Sequence, residues 1–325
     1  MSNPLRSELM RSLAGAAVAR GLLLMALFAG SAHGEPVTRR PASPSTLHFV
    51  VLADDTSYLV LADVEKAESL PPHGPLRLTG EESAPSAIAE VSEADLPADL
   101  RAWSKRKVVV DERCHAAVSG FAIVARVVGR PDYAGFTENE WTADSVLSVG
   151  NKVLAARLDR CKGNFARAAS AAPIRVPRPV VNEAAVAAAR ADFLASEVIA
   201  QARAEQAQAE VAGALEQVYV PRVVTVRHPT TGETWISLHL RIGEEGCSEP
   251  QANVWGLYRV TARGVERTRL LQLVPLQTID TLLDVDGDGQ LELFIQDDFG
   301  FSRELRSGEG KVLNRITLPI YECMC

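Results

Sequence analysis

The chain has 325 residues, 47% of them hydrophobic and 23% charged, with a formal net charge of −7. That length allows one to three domains with a sizeable core, and the composition is that of a globular protein, not a disordered or fibrous one. A negative balance without a basic stripe excludes nucleic acid and anionic membrane surface as partners.

Residues 1–34 read as a secretory signal peptide. Arg6, Arg11 and Arg20 make a positive n-region, residues 21–30 make a short apolar core, and Ala32-His33-Gly34 puts small residues at −3 and −1 before Glu35. The n-region is long, and Met10 offers an alternative start. The apolar core is about half of the roughly 20 residues a membrane span needs. No later stretch is long and apolar enough to span, and no cysteine follows the core as a lipid attachment point. Removing the segment takes away three arginines and Glu8, which leaves 31 basic against 40 acidic residues (34 − 3 and 41 − 1), a charge of −9. A periplasmic or extracellular location follows.

Residues 35–46, with Pro36, Pro41 and Pro44, read as a linker. From Leu47 to residue 172 the pattern is β-rich. His48–Leu52 and Tyr58–Leu61 are short apolar runs around Asp54-Asp55, a hairpin signature. Pro97–Trp103 suits a short helix with proline in its first turn. Lys107–Asp111, Ala117–Val128 and Lys152–Leu158 are strands rich in β-branched and aromatic residues.

Residues 171–179 carry Pro173, Pro177 and Pro179 and read as a second linker, after which Asn182 is a good helix N-cap. From Glu183 to Val218 there is no proline and only Gly213, with abundant Ala, Glu, Gln and Arg. A continuous helix there would run about 35 residues, or roughly 50 Å. Phe193, Ala200, Ala204, Ala207, Val211, Ala214 and Val218 form a narrow apolar seam. Two readings follow: a dimerising coiled coil or spacer that would make a homodimer through 183–218, or a helix (or two) packed on its own domain. The expected fold class is α+β, two β-rich antiparallel modules joined by a long Ala-rich helical segment.

Residues 219–325 return to strands. Val223–Val226 and Trp235–Leu240 flank a turn at Pro229–Gly232; Val254–Val260, Thr268–Val274 and Val312–Ile320 follow, as in an antiparallel sheet or sandwich. Within them lies the chemically richest stretch, Asp284-Val285-Asp286-Gly287-Asp288-Gly289-Gln290-Leu291-Glu292. Ca²⁺ wants six to eight oxygens. Asp284, Asp286, Asp288, the Gln290 carbonyl and Glu292 are the candidate metal ligands, with Gly289 permitting the reversal. An EF-hand needs a bidentate Glu at loop position twelve, and that position is Ile295. Strand-forming residues flank the loop on both sides, so it joins two strands. The other reading is an acidic Asp-Gly hairpin turn that holds no metal.

This run resembles the strand-loop-strand calcium sites of FG-GAP, VCBS and integrin-type repeats, D-x-D-x-D-G-x-x-D. It matches at Asp284, Asp286, Asp288 and Gly289 and carries Glu292 where the pattern has Asp. The likeness covers about fifteen residues and occurs once, too little for a propeller of several four-stranded blades. It therefore implies a structural calcium loop and no adhesive function.

In an exported chain the five cysteines are disulfide candidates. The expected pairs are Cys114–Cys161, and Cys247 with Cys323 or Cys325, which leaves one thiol over; Cys323-Met324-Cys325 is otherwise a weak metal pair or a labile local disulfide. No nucleophile elbow, P-loop, H-E-x-x-H, C-x-x-C or G-x-G-x-x-G occurs. His48, His73, His115, His228 and His239 stand singly and read as surface or core residues. Asp297 and Asp298 read as a solvated acidic strand end or as extra ligands. The sum is an exported, non-enzymatic binding or envelope-structural module held by Ca²⁺, with an unidentified protein or polysaccharide as partner. A secreted hydrolase in which the loop only supports a distant acid-base pair is the alternative.

Overall fold

The computed structural model describes residues 47–63, 70–208, 221–242, 252–274, 277–298 and 300–321. The expected signal peptide, the expected 35–46 linker, residues 209–218 of the expected helix, and Cys247, Cys323 and Cys325 lie outside them.

The first half forms nine strands: β1 (His48–Ala53), β2 (Thr56–Ala62), β3 (Arg77–Glu81), β4 (Ala84–Val91), β5 (Lys107–Val110), β6 (Cys114–Arg126), β7 (Val128–Gly129), β8 (Asn151–Leu158) and β9 (Phe165–Ala168). All but β7 join one sheet in the order β3-β4-β6-β5-β9-β1-β2-β8, with β6 also pairing β8. Two short helices accompany it, α1 (Ala98–Arg101) and α2 (Ala143–Val149). The expected β1–β2 hairpin is present, with Asp54 and Asp55 both at positive φ. The sheet is buried on both faces. In β1, Phe49 and Val51 point to one core and Val50 to another, following the two-residue period of a strand.

Next come β10 (Arg178–Pro179), β11 (Arg222–Arg227), β12 (Thr234–Ile242), β13 (Ala252–Thr261) and β14 (Gly264–Gln272), which form a five-stranded sheet in chain order. The last sheet is β15 (Gln277–Leu283), β16 (Glu292–Asp297), β17 (Arg303–Arg306) and β18 (Val312–Ile316), again in chain order. A final β19 (Ile320–Tyr321) pairs parallel with β7.

The four-stranded sheet is the middle layer. Phe294, Leu305 and Ile316 face the eight-stranded sheet, where Phe294 meets Phe49 and Phe165 with ring centroids 5.7 and 5.8 Å apart. Leu293 and Ile295 face the other way, onto Trp235, Trp255 and Leu257 of the five-stranded sheet. Burial on both faces explains why Leu293-Phe294-Ile295 is a continuous apolar run with no alternation.

The expected long helix joining two modules is absent among the described residues. In its place stand α3 (Glu183–Leu194) and α4 (Glu197–Gln208), with a break at Ala195-Ser196. Both pack on the five-stranded sheet, where Ala189, Phe193 and Ile199 bury against Ile236, Leu238 and Val254. The break changes the phase of the apolar face. Phe193 of the expected seam is buried, but Ala200 and Ala204 are exposed, and Ile199 and Ala202 take their place. Among the described residues strand makes up 49% against 16% helix, with four short helices, so the fold is strand-dominated and not two modules on a helical rod.

The Cys114–Cys161 disulfide forms as expected, closing a span of 47 residues. Among the described residues no helix is long and apolar enough to cross a membrane.

Candidate metal centre

The loop that joins β15 to β16 sits at the end of the middle sheet, so its first and last acidic residues are drawn into the layers. Leu283 pairs with Glu292 at the mouth of the hairpin. Asp284 is 0% and Glu292 6% exposed, whereas Asp286 is half-buried. One carboxylate oxygen from each of Asp284, Asp286 and Glu292 comes within 4.8 Å of the others. Two oxygens that each lie about 2.4 Å from one Ca²⁺ are at most about 4.8 Å apart. This triad can hold a metal ion.

Asp284 is held from two other parts of the chain. Its backbone makes a two-way bridge with Arg175 in the linker, at 3.0 and 2.9 Å. The Arg175 Nη1 donates to the Gly287 carbonyl at 2.9 Å and lies 3.4 Å from Asp284 Oδ2. His228, at the end of β11, places Nε2 at 3.3 Å from the same Oδ2 in contact without hydrogen-bond geometry. The His228 Nδ1 accepts from the backbone N–H groups of Thr230 and Thr231, both at 3.1 Å, so in the neutral ring the proton sits on Nε2. His228 thus presents a donor to Asp284 and is no metal ligand. Oδ1 of Asp284 is left buried and unpartnered. A buried carboxylate oxygen without a donor is costly, and a cation is the natural occupant beside it.

The other acidic residues of the loop are shaped by local bonds. Glu292 Oε2 accepts from Val285 N at 2.7 Å, and Asp286 Oδ1 accepts from Asp288 N at 3.1 Å. Asp288 is exposed and, although bonded to Asp286, is not one of the three carboxylates that converge; its Oδ1 accepts from Gln290 N at 2.7 Å, and Gln290 is exposed as well. Gly287 has φ 75°, and a Cβ there would lie 3.2 Å from the Arg175 guanidinium. Arg175 supplies one positive charge against three carboxylates, and the two charges left over match a divalent ion.

Without metal these carboxyls are uncomfortable as anions. Burial, then the neighbouring charges of Asp286, Asp288 and Asp284, pushes Glu292 up to about 8, although the hydrogen bond from Val285 N pulls the other way. Asp286 is raised by burial and by Asp288 and Asp284. Carboxyls raised in the fold add stability that is fully present below their unfolded values and is lost as pH rises through the folded ones. The metal-free protein is therefore expected to lose stability between pH 4.5 and about 8. A divalent ion held by the triad, with Ca²⁺ as the probe, would flatten that slope, because it favours the ionised forms. Urea unfolding across this range, in chelator and in Ca²⁺, reads the effect; parallel slopes would count against it.

The sequence located Asp284, Asp286 and Glu292 and missed Arg175 and His228. In the sequence His228 reads as a solitary core or surface residue. The ring is indeed fully buried, but against Asp284. Asp297 is buried and spends its oxygens on Phe301 N and Ser302 N, and Asp298 pairs with Arg241, so neither joins the triad. Comparison of the chain with protein-family models, curated proteins and solved structures returns no match.

Proposed function

We propose that the protein is an exported, non-enzymatic β module whose layers are clamped by one Ca²⁺ and whose role is binding or envelope structure. The unpartnered, fully buried Oδ1 of Asp284 beside two further carboxylates carries this reading. The donor set is all oxygen, which suits a hard cation over zinc or copper. Two of the three ligands are buried and Arg175 covers the loop, an arrangement for an ion that stabilises, not one that meets a substrate. The strand-loop-strand setting supports the likeness to FG-GAP-type loops. The Cys114–Cys161 disulfide supports an oxidising, exported location. There Ca²⁺ is plentiful, and a dissociation constant of about 10⁻⁴–10⁻³ M suffices.

Calorimetric titration of the metal-free protein tests it. One Ca²⁺ per chain, bound more tightly than Mg²⁺, is expected. A flat titration in millimolar Ca²⁺ rejects the proposal.

A further inference from the structure

The four-stranded sheet carries core residues at its centre and charge toward its β18 edge. Register sets Ile295, Glu304 and Arg315 in one row across β16, β17 and β18. A cleft of about 270 Å³ opens beside this row. Pockets for drug-sized ligands usually span about 300–1,000 Å³, so this one suits something smaller.

The charges in the cleft do not balance. Glu304 is 3% exposed and accepts from Arg306 Nε. Arg315, its cross-strand neighbour, is exposed, and its guanidinium has no partner among the described residues. Two guanidinium groups thus flank one carboxylate. Asp297 and Arg303 also line the wall and cancel one another in charge. Two buried polar atoms of the lining residues are orphaned, Arg303 Nε and Gln277 Oε1. The rest of the wall mixes apolar Ile295, Ile316 and Leu318 with polar Gln296, Ser302 and Thr317. Two large apolar side chains of the lining, Val274 at 60% and Ile320 at 37% exposure, are left uncovered by the described residues.

We propose that this cleft binds a small monocarboxylate with a branched apolar body. The carboxylate completes the charge between Arg315 and Arg306, where a guanidinium can grip both oxygens. The body covers Val274 and Ile320 and is held by the area it removes from water. The same chemistry is offered by a free branched acid and by the carboxyl end of a peptide that finishes in leucine.

Titration of isotope-labelled protein followed by amide chemical shifts decides it. The probes are isovalerate, its amide isovaleramide, and a tripeptide ending in leucine. Saturable shifts around Arg315 and Thr317 are expected with a carboxylate probe and not with the amide. Tighter binding of isovalerate marks a free acid as the source, and tighter binding of the tripeptide marks a chain terminus. Arg315→Gln should weaken binding at least about tenfold, the worth of a charged hydrogen bond. Because Arg315 is exposed, its melting temperature should not move. Val274→Asp, also at an exposed site, should weaken binding by repulsion. No saturable shift with either carboxylate, equal shifts with isovaleramide, or unchanged affinity in Arg315→Gln overturns the proposal.

Discussion

Ca²⁺ is expected to raise the melting temperature of the wild-type protein and not that of Asp286→Ala, and the ranking of the two proteins is expected to reverse in chelator. Asp286 is the half-buried member of the triad, so its removal opens no core cavity. It leaves two carboxylates against the charge of Arg175, a poor balance for a divalent ion. An ion present at a hundred times its dissociation constant stabilises by about 2.7 kcal/mol. In a domain of this size about 1 kcal/mol moves the melting temperature by about 2–4 °C. The wild type should therefore gain about 5–10 °C from Ca²⁺, and the variant almost nothing, by those two relations. In chelator near neutral pH the sign turns. The Asp286 carboxyl is raised by burial and by Asp288 and Asp284, so deleting it relieves repulsion, and metal-free Asp286→Ala should melt at or above metal-free wild type. Melting curves of both proteins in both conditions give the answer. Equal gains from Ca²⁺ in the two proteins would show that the ion binds elsewhere.

Glu112→Gln is expected to cost about 3–5 kcal/mol, the penalty for breaking a buried ion pair from one side. Glu112 sits in the β5–β6 turn at φ 55°, with oxygens 2.6 Å from Arg167 Nε and 2.9 Å from Arg167 Nη2. Arg167 is 7% exposed, and its Nη1 also donates to the carbonyls of Ala168 and Ala171. The same Glu112 accepts from Ile174 N, the residue before Arg175. The pair thus pins the strand and the linker that reach the metal loop. With Gln in place, Arg167 keeps a buried charge without its counter-ion. Urea unfolding should show the loss at fixed m-value, and Ca²⁺ affinity should fall with it as the 174–175 segment loosens. Adding Arg167→Met to Glu112→Gln should recover part of the loss, since the lone charge is then gone. A variant as stable as wild type would mean the pair is not structural.

Legibility in the sequence followed the distance between partners. The triad was readable because its three carboxylates lie within one turn of chain and strand formers flank them. Arg175 and Asp284 are separated by 109 positions, and nothing at residue 175 marks it as a partner. His228 was hidden for the same reason. The β1–β2 and β11–β12 hairpins were visible in their Asp-Asp and Pro-Thr-Thr-Gly turns. The strand β4 was not, because Ala84-Pro85-Ser86-Ala87 has little β propensity and is held by neighbours on each side. The helical region was misjudged because alanine favours helix without saying where it ends. What ends it is tertiary: Phe193 and Ile199 must both reach the five-stranded sheet, and a straight helix cannot deliver them together with the Ala200 and Ala204 seam. The expected rod thereby became two short helices on a sheet.

The decisive measurement is a crystal structure grown in millimolar Ca²⁺. A single strong peak is expected about 2.3–2.6 Å from carboxylate oxygens of Asp284, Asp286 and Glu292, with Arg175 and His228 still on the far oxygen of Asp284. A loop without that peak, its Asp284 oxygen met by water or by a second side chain, would contradict it.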